Sequence, residues 1–161
     1  MREVTCCFTG HRELPAQEMQ ALRRRLEETL RELIAQGFRY FGAGGALGFD
    51  TLAAQMVLAL RREYPAVRLI LVLPCRDQAR GWNQAQQQEY SRIQAQADKV
   101  VYIQERYAPG CMHRRNRHLA NASSVCVCYL TKQRGGTKYT VGYCRAHGVK
   151  VINLAAGQAA H

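Results

Sequence analysis

Four short segments of this 161-residue chain combine glycine, arginine and hydroxyl-bearing residues in patterns that suit the binding of phosphate. Their sequences are Thr9-Gly10-His11-Arg12, Gly42-Ala43-Gly44-Gly45-Ala46-Leu47-Gly48-Phe49-Asp50, Met112-His113-Arg114-Arg115-Asn116-Arg117 and Arg134-Gly135-Gly136-Thr137. Glycine lets backbone N–H groups approach an anion, and a following helix N-terminus favours negative charge. We therefore predict a ligand site formed by Thr9, Gly10, His11, Arg12, Gly44, Gly45, Gly48, Asp50, Arg115, Arg117, Gly135, Gly136 and Thr137.

The individual signals differ in specificity. The glycines at 44, 45 and 48 fit neither the dinucleotide fingerprint nor the P-loop, so a purely structural turn remains the alternative there. Gly135 and Gly136 repeat the arrangement before a later helix, where Thr137 could cap the helix or donate its hydroxyl to phosphate. Two such turns in one chain favour a ligand site.

Two residues are candidates for catalysis, although the sequence assigns no reaction to them. Asp50 could accept ribose hydroxyls or act as a base, and the alternative is a helix N-cap. His11 is the histidine best placed for proton transfer. Because residues two apart on a helix face different ways, one of Arg115 and Arg117 should bind ligand while the other pairs or faces solvent.

Positive charge is concentrated in the C-terminal part of the chain. The net charge is +11, and residues 101–161 contain nine lysines and arginines but a single acid, Glu105. Such a field attracts phosphates, whether on a nucleotide or on a nucleic acid.

The segments that carry these residues alternate between strand and helix patterns. Strands are predicted at 3–8, 39–43, 67–73, 99–104, 124–130 and 149–154, and helices at 15–36, 50–63, 83–97, 112–122 and 137–147. This order predicts an α/β fold with a single Rossmann-like, doubly wound and mainly parallel sheet flanked by helices. We expect one domain over residues 1–155 and a frayed tail at 156–161. Ligand segments that follow strands should meet at one sheet edge.

Composition excludes several classes of protein. No apolar run approaches the length of a membrane span, and the N-terminus lacks a signal-peptide layout, so we expect a cytoplasmic protein. The seven cysteines are predicted to be reduced thiols, of which Cys111 should be the most exposed. Cys126 and Cys128 should point to one face of a strand, and without a second ligand pair we predict no metal site.

In these motifs and in their order, the chain resembles the SLOG superfamily, and within it the YpsA-like branch of small bacterial proteins. That superfamily contains DNA-processing protein A and the Lonely Guy hydrolases. The resemblance runs from Phe8 to Thr137 and implies a nucleotide-derived ligand that is NAD-like or ADP-ribose-like, with no required cofactor.

The resemblance leaves three functions open. The first is a cytoplasmic sensor or regulator that binds a nucleotide-derived ligand without catalysis. The second is an N-glycosidase-type nucleotide hydrolase, but Lys138, Tyr139 and Thr140 stand where the Lonely Guy enzymes have their acid. The third is a single-stranded nucleic-acid-binding module, for which Tyr107 and Tyr139 are the tyrosines nearest the basic loops. A homodimer is also expected, with Met56, Leu60 and helix 83–97 available to core or interface.

Overall fold

A computed structural model describes residues 1–155 of the chain, and the predicted tail at 156–161 lies outside the described residues. The strands are β1 (Thr5–Gly10), β2 (Tyr40–Ala43), β3 (Arg68–Leu73), β4 (Lys99–Tyr102), β5 (Val125–Tyr129) and β6 (Lys150–Asn153). The helices are α1 (Met19–Ala35), α2 (Phe49–Glu63), α3 (Gln84–Gln96), α4 (Cys111–Asn121) and α5 (Gly136–Ala146). The predicted α/β fold is confirmed.

All six strands pair in parallel in the order β4-β3-β2-β1-β5-β6. Strands β1 to β4 lie side by side in chain order, so that each new strand is added at the same edge of the sheet. The chain then returns, and β5 pairs with β1 on its other side. The order of strands therefore reverses between β1 and β5. In open parallel sheets, a crevice forms outside the carboxyl ends of the strands at such a point.

The two faces of the sheet have separate cores. Helices α1, α2 and α3 cover one face, which includes Phe8, Phe41 and Leu71. Helices α4 and α5 cover the other face, which includes Cys7, Val72 and Cys126. Because both faces are covered, the central strands read as nearly continuous apolar runs.

Local sequence explains how the main helices form. In α1, Leu22, Leu26, Leu30 and Leu33 are buried and recur every three or four residues, which makes one apolar helix face. Helix α3 is polar, and a capping box fixes its start: the Asn83 side chain accepts from the Gln86 N–H, and the Gln86 side chain accepts from the Asn83 N–H.

Several boundaries differ from the predictions. The first strand begins and ends two residues later than predicted, because residues Arg2–Val4 form a 3₁₀ turn. The predicted helix from residue 15 divides into a 3₁₀ turn at Ala16–Glu18 and α1 proper. Leu60 and Met56 are each predicted to lie either in the core or at an interface. Leu60 is buried within the chain, whereas Met56 is partly buried against the same core.

Over residues 1–155, no helix is long and apolar enough to cross a membrane.

Candidate functional site

A cleft of about 400 Å³ opens at the carboxyl ends of β1 and β5, where the strand order reverses. Its walls come from the loops after β1, β2, β3 and β5 and from the start of α4. The residues that line it are Thr9, Gly10, His11, Arg12, Glu13, Ala46, Asp50, Gln78, Met112, Arg115, Asn116, Lys132, Arg134, Gly135, Gly136 and Thr137. The prediction that the motifs meet at one sheet edge therefore agrees with the geometry.

The structure brings most of the predicted site residues together in this cleft, but not all of them. Of the thirteen, Gly44, Gly45, Gly48 and Arg117 do not line it. Arg117 instead donates from Nη1 to the hydroxyl of Tyr139 at 3.0 Å. The spacing argument for the two arginines holds in this respect, because Arg115 lines the cleft and Arg117 does not.

Two glycines of the segment Gly42–Asp50 position residues of the cleft, although they do not line it themselves. Gly44 leaves room for the guanidinium of Arg115, since a Cβ at Gly44 would lie 2.4 Å from Nη1. Gly48 has a φ of +78°, and a Cβ there would lie 2.4 Å from the carbonyl oxygens of His11 and Arg12. The N–H of Phe49 donates to the His11 carbonyl at 3.1 Å. This turn therefore fixes the loop after β1 against the start of α2.

Arg115 is a buried cation in the wall of the cleft, with only 4% of its surface exposed. Its Nη1 donates to the Gly44 carbonyl, and its Nε donates to Asn116 Oδ1 at 2.7 Å. Burial lowers the pKa of Arg115, and the nearby Asp50 carboxylate opposes that shift. A buried guanidinium beside an open cleft is a strong point of attraction for an anion.

Asp50 is the buried carboxyl group of the cleft. It is the second residue of α2, whose N-cap is Gly48, so the N-cap alternative does not apply. Its Oδ2 accepts from the N–H of Ala46, at the long distance of 3.4 Å. Burial raises its pKa from 3.8 to about 6, although Arg115 and Arg12 favour the charged form. Asp50 is thus suited to accept hydrogen bonds from a ligand or to exchange a proton near neutral pH.

His11 is held by the loop that follows β5. Its Nε2 accepts from the backbone N–H of Thr131 at 2.9 Å, and its ring meets Tyr129 edge-on at 5.9 Å. Burial lowers the pKa of His11, and the positive charge of Lys132 lowers it further. The imidazole is therefore neutral, with its remaining proton on Nδ1. This geometry favours hydrogen-bond donation from Nδ1 over a role for Nε2 as general base.

Basic side chains outnumber acids in the cleft. Arg12, Arg115, Lys132 and Arg134 line it against Asp50 and Glu13, and residues 106–155 contain no aspartate or glutamate. Glu105, the last acid in the chain, is paired with Arg76 at 2.7 Å. Thr9 and Thr137 add buried hydroxyl groups, and Gly135 and Gly136 begin α5 at the same place. The arrangement suits a phosphate-bearing ligand.

Sequence reasoning missed several residues of the cleft. Lys132 follows β5 directly, and its position after a strand next to the switch point was a usable signal. Gln78 comes from the irregular loop after β3, where no pattern marked it. Glu13 is an exposed acid at the rim.

Three of the seven cysteines form a buried cluster on the face of the sheet opposite α2. Cys7, Cys126 and Cys144 have Sγ atoms within 4.8 Å of one another, and all three are buried. The neighbouring thiols of Cys126 and Cys7 lower the pKa of Cys144, whereas burial opposes that shift. Cys126 and Cys128 share one core, as predicted. The expectation that Cys111 is exposed is wrong, because it is the first residue of α4 and is fully buried.

Comparison with known proteins gives the chain relatives over most of its length. A family model described as the YspA SLOG family matches residues 6–150. The SPbeta prophage-derived protein YoqJ of Bacillus subtilis is 26% identical over 140 residues, which cover 79% of this chain and 82% of that protein. A UPF0398 protein of Bacillus pumilus is 29% identical over 126 residues, with 76% and 68% covered.

Two solved structures of DNA processing protein A share the fold. The protein from Streptococcus pneumoniae superposes with a TM-score of 0.69 and 17% identity, and the match covers 94% of this chain but only half of that one. The protein from Helicobacter pylori, whose structure concerns a single-stranded DNA binding mode, gives a TM-score of 0.70 and 18% identity, with 98% and 67% covered. At these identities the likeness extends to the fold.

Proposed function

The chain belongs to the YspA SLOG family, and we propose that it is a cytoplasmic sensor or regulator that binds a nucleotide-derived ligand in the cleft between β1 and β5. The ligand class is NAD-like or ADP-ribose-like. Its phosphate lies between the glycine turn at 135–136 and the basic side chains of Arg12 and Arg115. The family, the switch-point cleft and the charge of the cleft all support this proposal.

One observation carries the proposal: Arg115 is buried beside an open cleft whose lining holds four basic side chains against two acids, Asp50 and Glu13. Burying a guanidinium is costly unless charge or hydrogen bonds compensate it. Gly44 and Asn116 satisfy part of its donor capacity, and Met112 sulfur at 3.9 Å is a weak acceptor for Nη2. Asp50 offsets part of its charge, and an anion in the cleft would add a further charged partner.

The direct test is calorimetric titration of the purified protein with AMP, ADP-ribose, NAD and cyclic nucleotides. We expect submillimolar affinity for at least one of them. The affinity should fall as salt is raised, because the interaction is largely electrostatic. If none of the ligands binds below millimolar concentration, the proposal fails.

A second function, binding of single-stranded nucleic acid, is favoured by one surface feature. Tyr139 is 40% exposed, its ring lies 4.3 Å from that of His113, and Arg117 donates to its hydroxyl. Exposed aromatic rings beside cations form stacking platforms for bases. Titration with a fluorescent oligonucleotide tests this function, with Tyr139→Ala as the variant and Tyr40→Ala, far from the basic loops, as its control. Absence of salt-sensitive binding would remove this function.

Hydrolysis of an N-glycosidic bond would require a carboxylate near the anomeric carbon, and Asp50 is the residue we propose for it. Release of free base from AMP or NAD, followed by chromatography, tests this function. If release occurs and Asp50→Asn leaves it unchanged, Asp50 has no catalytic role.

A homodimer is also proposed, and light scattering of the reduced protein distinguishes it from the 18.2 kDa monomer.

A further inference from the structure

A second cavity, of about 490 Å³, lies next to the cleft on the face of the sheet covered by α1, α2 and α3. Its walls are mainly apolar and include Met19, Leu47 and Ile93. Cavities of this size with apolar walls and a few polar groups are typical of sites for small organic molecules. The ligand-binding residues assigned above leave this cavity unexplained.

Two aromatic rings form one side of the second cavity. Trp82 and Tyr90 meet edge-on, with their ring centroids 5.2 Å apart, and both line the cavity. Trp82 is the single tryptophan of the chain and is partly exposed. An aromatic ring held edge-on by its neighbour keeps a face for stacking against a planar group.

The two cavities share a wall. Asp50 lines both of them, and the adjacent residues Gly45 and Ala46 line one each. Gln78 of the cleft donates from Nε2 to the hydroxyl of Tyr90 at 3.3 Å, so a hydrogen bond also connects the two linings. The two cavities are therefore immediate neighbours.

The shared wall contains an unsatisfied hydrogen-bond acceptor. Gln78 is 8% exposed, and its Oε1 is buried without a partner among the described residues. Its Nε2 faces the Gly44 carbonyl at 3.4 Å, which can only accept, so the amide cannot be reversed without placing two acceptors together. A buried acceptor without a donor costs free energy, and a ligand hydroxyl group that donates to Gln78 would remove that cost.

From the positions of these groups, we infer that the ligand extends from the cleft into the second cavity. Its phosphate lies by Arg115, and its ribose hydroxyls bind Asp50 and Gln78. Its planar base packs against Trp82 and Tyr90. This inference rests on the proposed function, since it assigns the rest of the ligand whose phosphate occupies the cleft. It also makes Gln78 and the aromatic pair determinants of specificity. Basic groups select the anion, acceptors select the sugar and the apolar cavity selects the base.

The experiment compares ligands that have a base with one that lacks it. AMP, ADP-ribose and ribose 5-phosphate are titrated into the protein while binding heat and Trp82 fluorescence are recorded. We expect AMP or ADP-ribose to change the fluorescence and to bind about tenfold or more tightly than ribose 5-phosphate, the factor that stacking of one base provides. Ribose 5-phosphate should occupy the cleft without changing the fluorescence.

A variant that fills the cavity provides the second arm. Ala85 is an exposed residue of α3 that lines the second cavity, and Ala85→Phe should weaken binding of the base-bearing ligand about tenfold while leaving that of ribose 5-phosphate unchanged. Ala95, exposed on the same helix and outside the cavity, gives the matched control Ala95→Phe, which should bind like the parent protein.

The outcomes separate the inference from the proposed function. If AMP or ADP-ribose binds no better than ribose 5-phosphate, or if Ala85→Phe has no effect, the second cavity is not part of the site and the inference is wrong, although the cleft still binds phosphate. If no compound binds, including ribose 5-phosphate, the proposed function fails and the inference fails with it.

Discussion

Arg115 and Asp50 lie in the same cleft but come from helices on opposite faces of the sheet, and the loop after β2 forms a hydrogen bond with each of them. Arg115 comes from α4 and donates to the Gly44 carbonyl, whereas Asp50 comes from α2 and accepts from the Ala46 N–H. Burial disfavours the charge on each residue more than the other residue favours it. A ligand that offers an anion to one and a hydroxyl group to the other would therefore relieve both.

Replacing Arg115 by alanine should weaken nucleotide binding about 10- to 100-fold, because charge-assisted hydrogen bonds to the anion are lost. Arg114 is the matched control, since it is exposed on the same helix and bonds Gln104 instead of lining the cleft. Calorimetry on both variants measures the difference. Equal losses in the two variants would mean that general charge, and not the buried guanidinium, attracts the ligand.

Asp50→Asn should stabilise the ligand-free protein at pH 8 and weaken ligand binding. The pKa of Asp50 is about 6 in the folded chain against 3.8 for the unperturbed group, so the folded state holds the proton more tightly. Its contribution to stability is therefore lost as pH rises from about 4 to about 6, by up to about 3 kcal/mol.

Denaturant unfolding of the parent protein and of Asp50→Asn at pH 4, 6 and 8 measures this difference. The variant should gain nothing at pH 4 and most at pH 8. A gain that does not depend on pH would show that the buried charge of Asp50 is not its cause.

His11→Gln should remove one source of acid sensitivity. Because burial lowers the pKa of His11 in the folded state, the unfolded chain takes up a proton below pH 6.5 before the folded chain does. Stability from this residue is complete above pH 6.5 and is lost as pH falls through the folded pKa. Thermal unfolding between pH 8 and pH 5 should show a smaller decrease in the variant than in the parent protein. An identical decrease in both proteins would contradict this explanation.

Gly48→Ala should destabilise the protein by about 2 kcal/mol or more, because its positive φ and the carbonyls of His11 and Arg12 leave no room for a Cβ. Gly142 gives the opposite control, since it lies within α5 with nothing within 4 Å of an added Cβ. Gly142→Ala should stabilise by about 0.5 to 1 kcal/mol. Thermal unfolding of the two variants compares them directly.

Much of the fold follows from patterns that the sequence makes visible. The leucine spacing of α1 and the apolar run of β3 identified their elements, and their alternation predicted the parallel sheet. Glycine and arginine motifs after strands identified nine of the residues that line the cleft. Strand order was less accessible, because periodicity describes one element at a time and does not state which strands pair.

Side-chain partners were the least predictable part of the site. Arg115 is fixed by a carbonyl 71 residues earlier in the chain, and His11 accepts from an N–H 120 residues later. Such contacts depend on three-dimensional packing and leave no local signal. Cys111 was expected in an exposed loop between Gly110 and Met112, yet Gly110 is the N-cap of α4 and Cys111, the first residue of that helix, is fully buried. The second cavity likewise combines three helices whose relative positions only the fold determines.

The pairing of β1 with β5 also determines when the cleft can form during protein synthesis. Cys6 aligns with Val125 in this pair, so β1 must wait for a strand made about 120 residues later. The half of the sheet from β1 to β4 uses neighbours in the chain and can form while the ribosome is still translating. Closing so long a loop is entropically slow, which makes docking of β5 a late step. The nascent chain therefore acquires its ligand site only after β5 and the loop that follows it have been made, and a product that stops before β5 would lack the site.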